Sequence, residues 1–293
     1  MSASSSFPLV TKIFHSADGT PLYAQSRGHP SKPCVVFLHA TSFSSIIWSQ
    51  IFDDPRWYNE LFLVSLDLRG HGQSGKPTES KYYETKRFAD DFDAIVQGFN
   101  LVKPFVFGWG FGGTILADIL TFHPTSYISG WLLVGGAPSM DSLPEISRPD
   151  GVAINAHIAL PGSVEEYRKG VVNFIQTQTH TSSYSIPYPL YPALVGTVLL
   201  RPLSCALRMS DRTHEIRGLR TAAKNGLPLL IIHGRHDMFL NGEEVESTCK
   251  EYGWKNAKVT WLDCGHIPFL EKQDEVREEV LKFIASSVSA AGN

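Results

Sequence analysis

The sequence predicts an α/β domain built on a mostly parallel sheet, and three observations carry that prediction. Short continuous apolar runs recur, such as "CVVFL" at 34–38 and "LFLVSLD" at 61–67. Strands buried on both faces read this way. Stretches of helical periodicity stand between the runs, the pattern of strand–helix–strand crossovers. The alternation breaks once, over 139–212, where prolines and aromatics accumulate, and then resumes.

Each element follows in chain order. Residues 9–15 and 21–27 flank Ser16-Ala17-Asp18-Gly19-Thr20, a turn whose glycine tolerates positive φ, and read as an opening hairpin. The runs at 34–38 and 61–67 are the third and fourth strands. Phe88, Phe92, Ile95, Val96 and Phe99 recur at helical spacing within 83–101. A strand at 104–108, a helix from about 111 to 122 and a strand at 130–135 complete the first part. After the break come "LPLLIIHG" at 227–234, a helix near 242–252, "AKVTWLD" at 257–263 and a closing helix over about 269–287. That makes eight strands around a mostly helical insertion.

The chain of 293 residues is long enough for one large α/β domain with an insertion, or for two modest domains. The net charge of -3, with Lys and Arg scattered, gives no footprint for nucleic acid or an anionic membrane. Cys34, Cys205, Cys249 and Cys264 have no paired spacing, so neither a disulfide framework nor a metal cluster is expected. "MSASSSFPLV" lacks an apolar signal core, and "SAAGN" is not the peroxisomal tripeptide. No run approaches the roughly 20 apolar residues of a membrane span. The expectation is a soluble cytoplasmic protein that handles a small molecule, with no nucleic-acid or membrane partner. Oligomeric state is not read from the sequence.

Four loops after predicted strands carry candidate chemistry. In open α/β sheets, ligands sit at the carboxyl ends of the strands, so loops distant in sequence can converge. The first loop is "LHATSFSSIIW" at 38–48, where the backbone N–H of Thr41 is the candidate oxyanion donor and Ala40 replaces the usual glycine. The second is "VFGWGFGG" at 106–113, a strand running through a glycine-dense turn into a helix. It has the form of the nucleophile elbow G-x-S-x-G, with Gly110 at the centre and Phe111 supplying a second N–H. The third is "HGRHD" at 233–237, which places Asp237 where an acid orients a histidine. The fourth is "DCGHIPFLEK" at 263–272, with His266 in a Gly-His turn. The order 110, 237, 266 is nucleophile, acid, base.

With "LDLRGHGQSGKP" at 66–77 as a further matching loop, the chain resembles the α/β-hydrolase superfamily, in its capped, esterase- or lactonase-like form. The resemblance implies an α/β-hydrolase fold: a mostly parallel eight-stranded sheet flanked by helices, with a helical cap inserted after the sixth strand. The core would comprise 1–138 and 213–293, and the cap 139–212. It implies hydrolysis of a small, neutral, fairly apolar ester, lactone or thioester through an acyl-enzyme, with no cofactor and no metal. Tyr184, Tyr188 and Tyr191 read either as cap core or as pocket wall; with Trp109 they are the candidate substrate contacts.

The departure from the family pattern is Gly110. Glycine tolerates an unusual backbone conformation, so the fold should stand, but no hydroxyl remains to attack a carbonyl. Two readings follow. The chain is a nucleophile-less form of a working serine hydrolase, inactive or nearly so, or it is a natural hydrolase-like protein that binds a ligand or partner. A dehalogenase or epoxide hydrolase would need a carboxylate at 110. A dinucleotide loop would belong to the first βαβ unit and be followed by a ribose-binding acid. His233 and His236 have ligand-like spacing, a weak metal signal. His39 and His71 read as structural.

Overall fold

The computed structural model describes residues 7–159, 161–180, 184–212 and 214–291. Eight strands form one sheet in the order β1-β2-β4-β3-β5-β6-β7-β8. They are β1 Val10–His15, β2 Pro21–Arg27, β3 Cys34–Leu38, β4 Phe62–Leu66, β5 Phe105–Gly110, β6 Gly130–Gly136, β7 Leu229–Gly234 and β8 Lys258–Leu262. β1 pairs antiparallel with β2, and β2 with β4; every other pairing is parallel. The mostly parallel, eight-stranded α/β-hydrolase sheet is therefore present.

Burial explains the sequence pattern. Every residue of β3, β4, β5, β6 and β7 is buried, because helices cover both faces. β1 lies at the edge and is mostly exposed. Helices Thr85–Gly98, Phe111–Phe122 and Arg217–Lys224 pack against one another on the sheet. The closing helical segment is two pieces, Pro268–Glu271 and Gln273–Ala291, rather than the single helix predicted. The break falls at Lys272, which leaves helical dihedrals at φ -135° and ψ 51°.

Between β6 and helix Arg217–Lys224 the described residues form five helices: Leu143–Ile146, Pro149–Ala159, Val164–Gln176, Leu190–Leu200 and Leu203–Ser210. These lie within the segment predicted to be mostly helical. Among the described residues, no single helix is long and apolar enough to cross a membrane.

An aromatic core lies under the carboxyl ends of the central strands. Phe37 and Phe107 have ring centroids 4.9 Å apart, and Trp48 and Phe269 4.4 Å. Trp109 packs on Phe43 at 4.7 Å and Phe269 at 5.3 Å. Rings of this size dominate core burial and fix the floor on which the strand-end loops rest.

Candidate active site

The turn between β5 and helix Phe111–Phe122 is sharp, and Gly110 takes φ 51° and ψ -123° there. Such positive φ is costly for a residue with a Cβ and cheap for glycine. The glycines beside it serve close approach. A Cβ on Gly112 would stand 2.1 Å from the Leu38 carbonyl oxygen, and one on Gly108 2.5 Å from Gly113 Cα. Helix and strands can meet this tightly only without side chains.

Position 110 faces two groups. A Cβ built on Gly110 would lie 2.6 Å from Ala40 Cβ and 3.7 Å from His266 Nε2. His266 therefore presents its free ring nitrogen where a nucleophile's side chain would begin. Its other nitrogen, Nδ1, is 2.8 Å from Asp237 Oδ2. The remaining oxygen, Oδ1, accepts the N–H groups of Phe239 at 2.7 Å and Leu240 at 3.0 Å. Burial alone would raise the Asp237 carboxyl; the charge and hydrogen bond of His266 and these backbone donors outweigh it and hold the group below its usual range. Asp237 thus stays anionic and fixes the tautomer and plane of His266.

The His266 loop is braced from three sides. Its backbone N–H donates to the Gln178 carbonyl of the insertion at 2.8 Å. Its own carbonyl accepts Trp109 Nε1–H at 2.9 Å. The half-buried Glu271 carboxylate accepts N–H groups from Gly265 and from His180. The Asp237 loop is tied as well: Arg148 N–H donates to the Phe239 carbonyl, and Asn241 N–H to that of Ile146.

The loop after β3 is held by the two buried histidines. His39 Nε2 accepts the Leu68 N–H at 2.9 Å while Nδ1–H donates to the Ala40 carbonyl at 2.8 Å. His71 Nε2 accepts the Ser42 N–H at 3.0 Å, and Nδ1–H donates to the Arg69 carbonyl at 3.1 Å. Burial lowers both rings below the ordinary histidine value, so both are neutral, and each lends one acceptor and one donor to the backbone. Ser42 next to them has φ 72°, a strained conformation that His71 helps to hold.

A cavity of about 240 Å³ opens between the strand ends and the inserted helices. Gly110, His266, Thr41 and Phe111 all line it, so four of the predicted site residues come together. Asp237 stands behind His266. The expected substrate contacts do not join them. Trp109 is fully buried on the other side of β5, under His266. Tyr188 is 82% exposed, Tyr184 and Tyr191 are half-buried against the core, and none of the three lines the cavity. The wall comes instead from Met140, Leu143, Asn155, Phe174, Arg201 and Phe239, among others. Of these, only Phe239 follows a motif closely enough for the sequence to hint at it. His233 and His236 diverge: His236 pairs with Asp263 at 2.8 Å, while His233 is buried beside Trp261.

A model described as the Alpha/beta hydrolase family matches residues 35–279. The chain belongs to that family. This α/β hydrolase is 22% identical to the AB hydrolase superfamily protein YisY of Bacillus subtilis (strain 168), over 89% of this chain and 94% of YisY. Its fold is similar to that of a putative aryl esterase from Burkholderia cenocepacia, with TM-score 0.85 and 24% identity over 96% of this chain and all of that one, covered to 100%. It is also similar in fold to a serine-to-glycine mutant of the N-acyl homoserine lactonase AidH complexed with N-hexanoyl homoserine lactone, with TM-score 0.74, 18% identity, and coverage of 96% and 99%.

Proposed function

We propose that this site takes a small ester, lactone or thioester, and that its frame is that of acyl-enzyme hydrolysis with the nucleophile left out. The observation that carries the reading is the Asp237–His266 pair at 2.8 Å, with His266 Nε2 3.7 Å from where a Cβ at position 110 would stand. An oriented base aimed at an elbow is the arrangement that activates a hydroxyl. In a chain with serine at 110, His266 Nε2 would take the hydroxyl proton as the oxygen attacks the carbonyl. The N–H groups of Thr41 and Phe111 would receive the developing oxyanion. His266 would then return the proton to the leaving group and activate water for deacylation.

With Gly110, no acyl-enzyme forms. Turnover is limited to direct attack by water with His266 as general base. In serine proteases that lack a triad member, residual catalysis is on the order of 10³–10⁴ over water. A second reading, a non-catalytic ligand-binding protein on the same scaffold, is favoured by one observation: the Ala40 methyl fills the space that a Cβ at 110 would need.

The test uses the chain, Gly110→Ser, and Ala40→Gly with Gly110→Ser. Each is assayed on short- and medium-chain p-nitrophenyl esters and with a fluorophosphonate probe. The hydrolase reading expects labelling and fast turnover in the double variant, and in the chain itself no labelling and only the residual water-attack rate. A folded double variant that neither labels nor turns over would leave the binding reading.

A further inference from the structure

Among the described residues three arginines are buried, Arg69, Arg201 and Arg212, and their surroundings differ. Arg69 is held by Asp18 at 2.9 Å and by Asp91. Arg212 is held by Asp118. Arg201 is 5% exposed and, among the described residues, has no carboxylate partner. It stands at the C-terminal end of helix Leu190–Leu200, just before Pro202. Its Nη1–H donates to Thr41 Oγ1 at 3.1 Å, and its Nε has no partner. The side chain lines the cavity together with Gly110, Phe111 and His266.

A buried charge without a counter-ion is a standing cost, and folded proteins rarely keep one. Among the described residues, no Asp or Glu lines this cavity. The cavity wall holds two further buried groups without a partner, Ser42 Oγ on the loop next to Thr41 and Gln178 Oε1; the hydroxyl can donate to a bound anion, the amide oxygen cannot. Burial moreover pulls the guanidinium below its ordinary value, which a bound anion would reverse. A ligand that supplies one negative charge and two acceptor oxygens would satisfy the site. A carboxylate does so in the planar, forked geometry that guanidinium prefers. A phosphate dianion would leave excess negative charge buried beside a single cation.

We propose that Arg201 is a ligand-binding residue that selects a carboxylate-bearing ester, lactone or thioester, through its position on the cavity wall beside the Thr41 loop and His266. The inference rests on the ester-class reading above and replaces the neutral, apolar substrate predicted from sequence with a singly charged one. Thr41 then has two roles: its side chain steadies Arg201, and its backbone N–H faces the reacting carbonyl.

The test is calorimetric titration of the full chain with three matched series of about four to eight carbons, sized for a pocket of this class. These are monomethyl dicarboxylates such as monomethyl adipate, the corresponding dimethyl esters, and simple alkyl carboxylates. The half-esters should bind at least about tenfold more tightly than the diesters, as a charge-assisted hydrogen-bonded pair implies. Arg201→Gln should abolish that preference, and Arg201→Lys should retain part of it. A structural arginine would lose thermal stability on substitution, whereas Arg201→Gln should leave the melting temperature unchanged or raised. If Arg201→Gln does not fold, Arg201→Lys carries the comparison. Diesters binding as well as half-esters, a preference that survives Arg201→Gln, or no binding in any series would overturn the assignment. Alkyl carboxylates binding through Arg201 as tightly as half-esters would keep the anion site and count against the ester-class reading instead.

Discussion

Ala40 and Gly110 fit each other as a pair. The Ala40 methyl stands 2.6 Å from where a Cβ on Gly110 would be, closer than carbon atoms approach without displacement. The two departures from the family pattern, alanine in the oxyanion loop and glycine at the elbow, therefore meet at one point in space. Gly110→Ser alone should be destabilised by about 1–3 kcal/mol of overpacking, with a further cost from positive φ. Adding Ala40→Gly should recover the packing part, with a coupling energy of roughly 0.5–3 kcal/mol. A double-mutant cycle in urea measures it, and additive losses would mean that the two positions do not compete for space.

One buried carboxylate joins both ends of the inserted segment to the helix that opens at the elbow. Asp118, on helix Phe111–Phe122, pairs with Arg212 and lies 3.6 Å from His214 Nδ1. His214 Nε2 in turn accepts the Met140 N–H at 3.2 Å. The Arg212 guanidinium also lies 4.1 Å over the Phe88 ring and 5.6 Å over Phe111. Asp118→Ala should cost about 3–5 kcal/mol, because it strands a buried guanidinium. Asp118→Leu with Arg212→Met should cost clearly less than the single change, since no charge is left behind. Denaturant unfolding of the three proteins decides this; a double variant as unstable as the single would mean that the pair matters by shape and not by charge.

Much of the architecture was legible in the sequence because burial leaves a direct trace. β3, β4 and β7 are continuous apolar runs, since both their faces are covered. Asp237 and His266 were legible because strand-end loops put them in a fixed chain order. The cavity wall was not legible. Much of it comes from residues of 139–212, where no motif marks which side chain turns inward, and Arg201 carries no local sign of being buried. The ring character of Tyr184, Tyr188 and Tyr191 does not distinguish a pocket wall from packing on the core or an exposed surface. Trp109 precedes Gly110 in β5, and because successive residues of a strand point to opposite faces its ring belongs to the aromatic core below His266 rather than to the pocket.

The support from Trp109 is itself testable. Its Nε1–H to the His266 carbonyl, at 2.9 Å, is buried and joins β5 to the His266 loop. Trp109→Phe keeps an aromatic ring and removes that donor, leaving a buried carbonyl unsatisfied. A loss of about 1–3 kcal/mol is expected, from the unpaired acceptor and the smaller ring. Hydrogen exchange should quicken at the Gly265 and His266 amides more than in the sheet. Uniform quickening would assign Trp109 to general packing.

His233 gives the fold an acid sensitivity. It is fully buried at the end of β7, and burial lowers it from 6.5 to about 4; the charge of Asp237 raises it, that of His266 lowers it further, and Glu246 raises it slightly. The folded state therefore holds this ring neutral where the unfolded chain would protonate it. Between about pH 4 and 6.5 the unfolded state binds more protons, so stability from this residue falls as pH falls, by ~3 kcal/mol across the window. His39 and His71 are lowered by burial too and act with the same sign. Asp237 is separable, because its depressed carboxyl stabilises the fold above its unfolded value of 3.8 and loses that contribution only at lower pH. Urea unfolding from about pH 4.5 to 7 should show a positive slope of stability against pH, and His233→Leu should flatten it. A slope unchanged by His233→Leu would assign the acid sensitivity to the pair at His39 and His71.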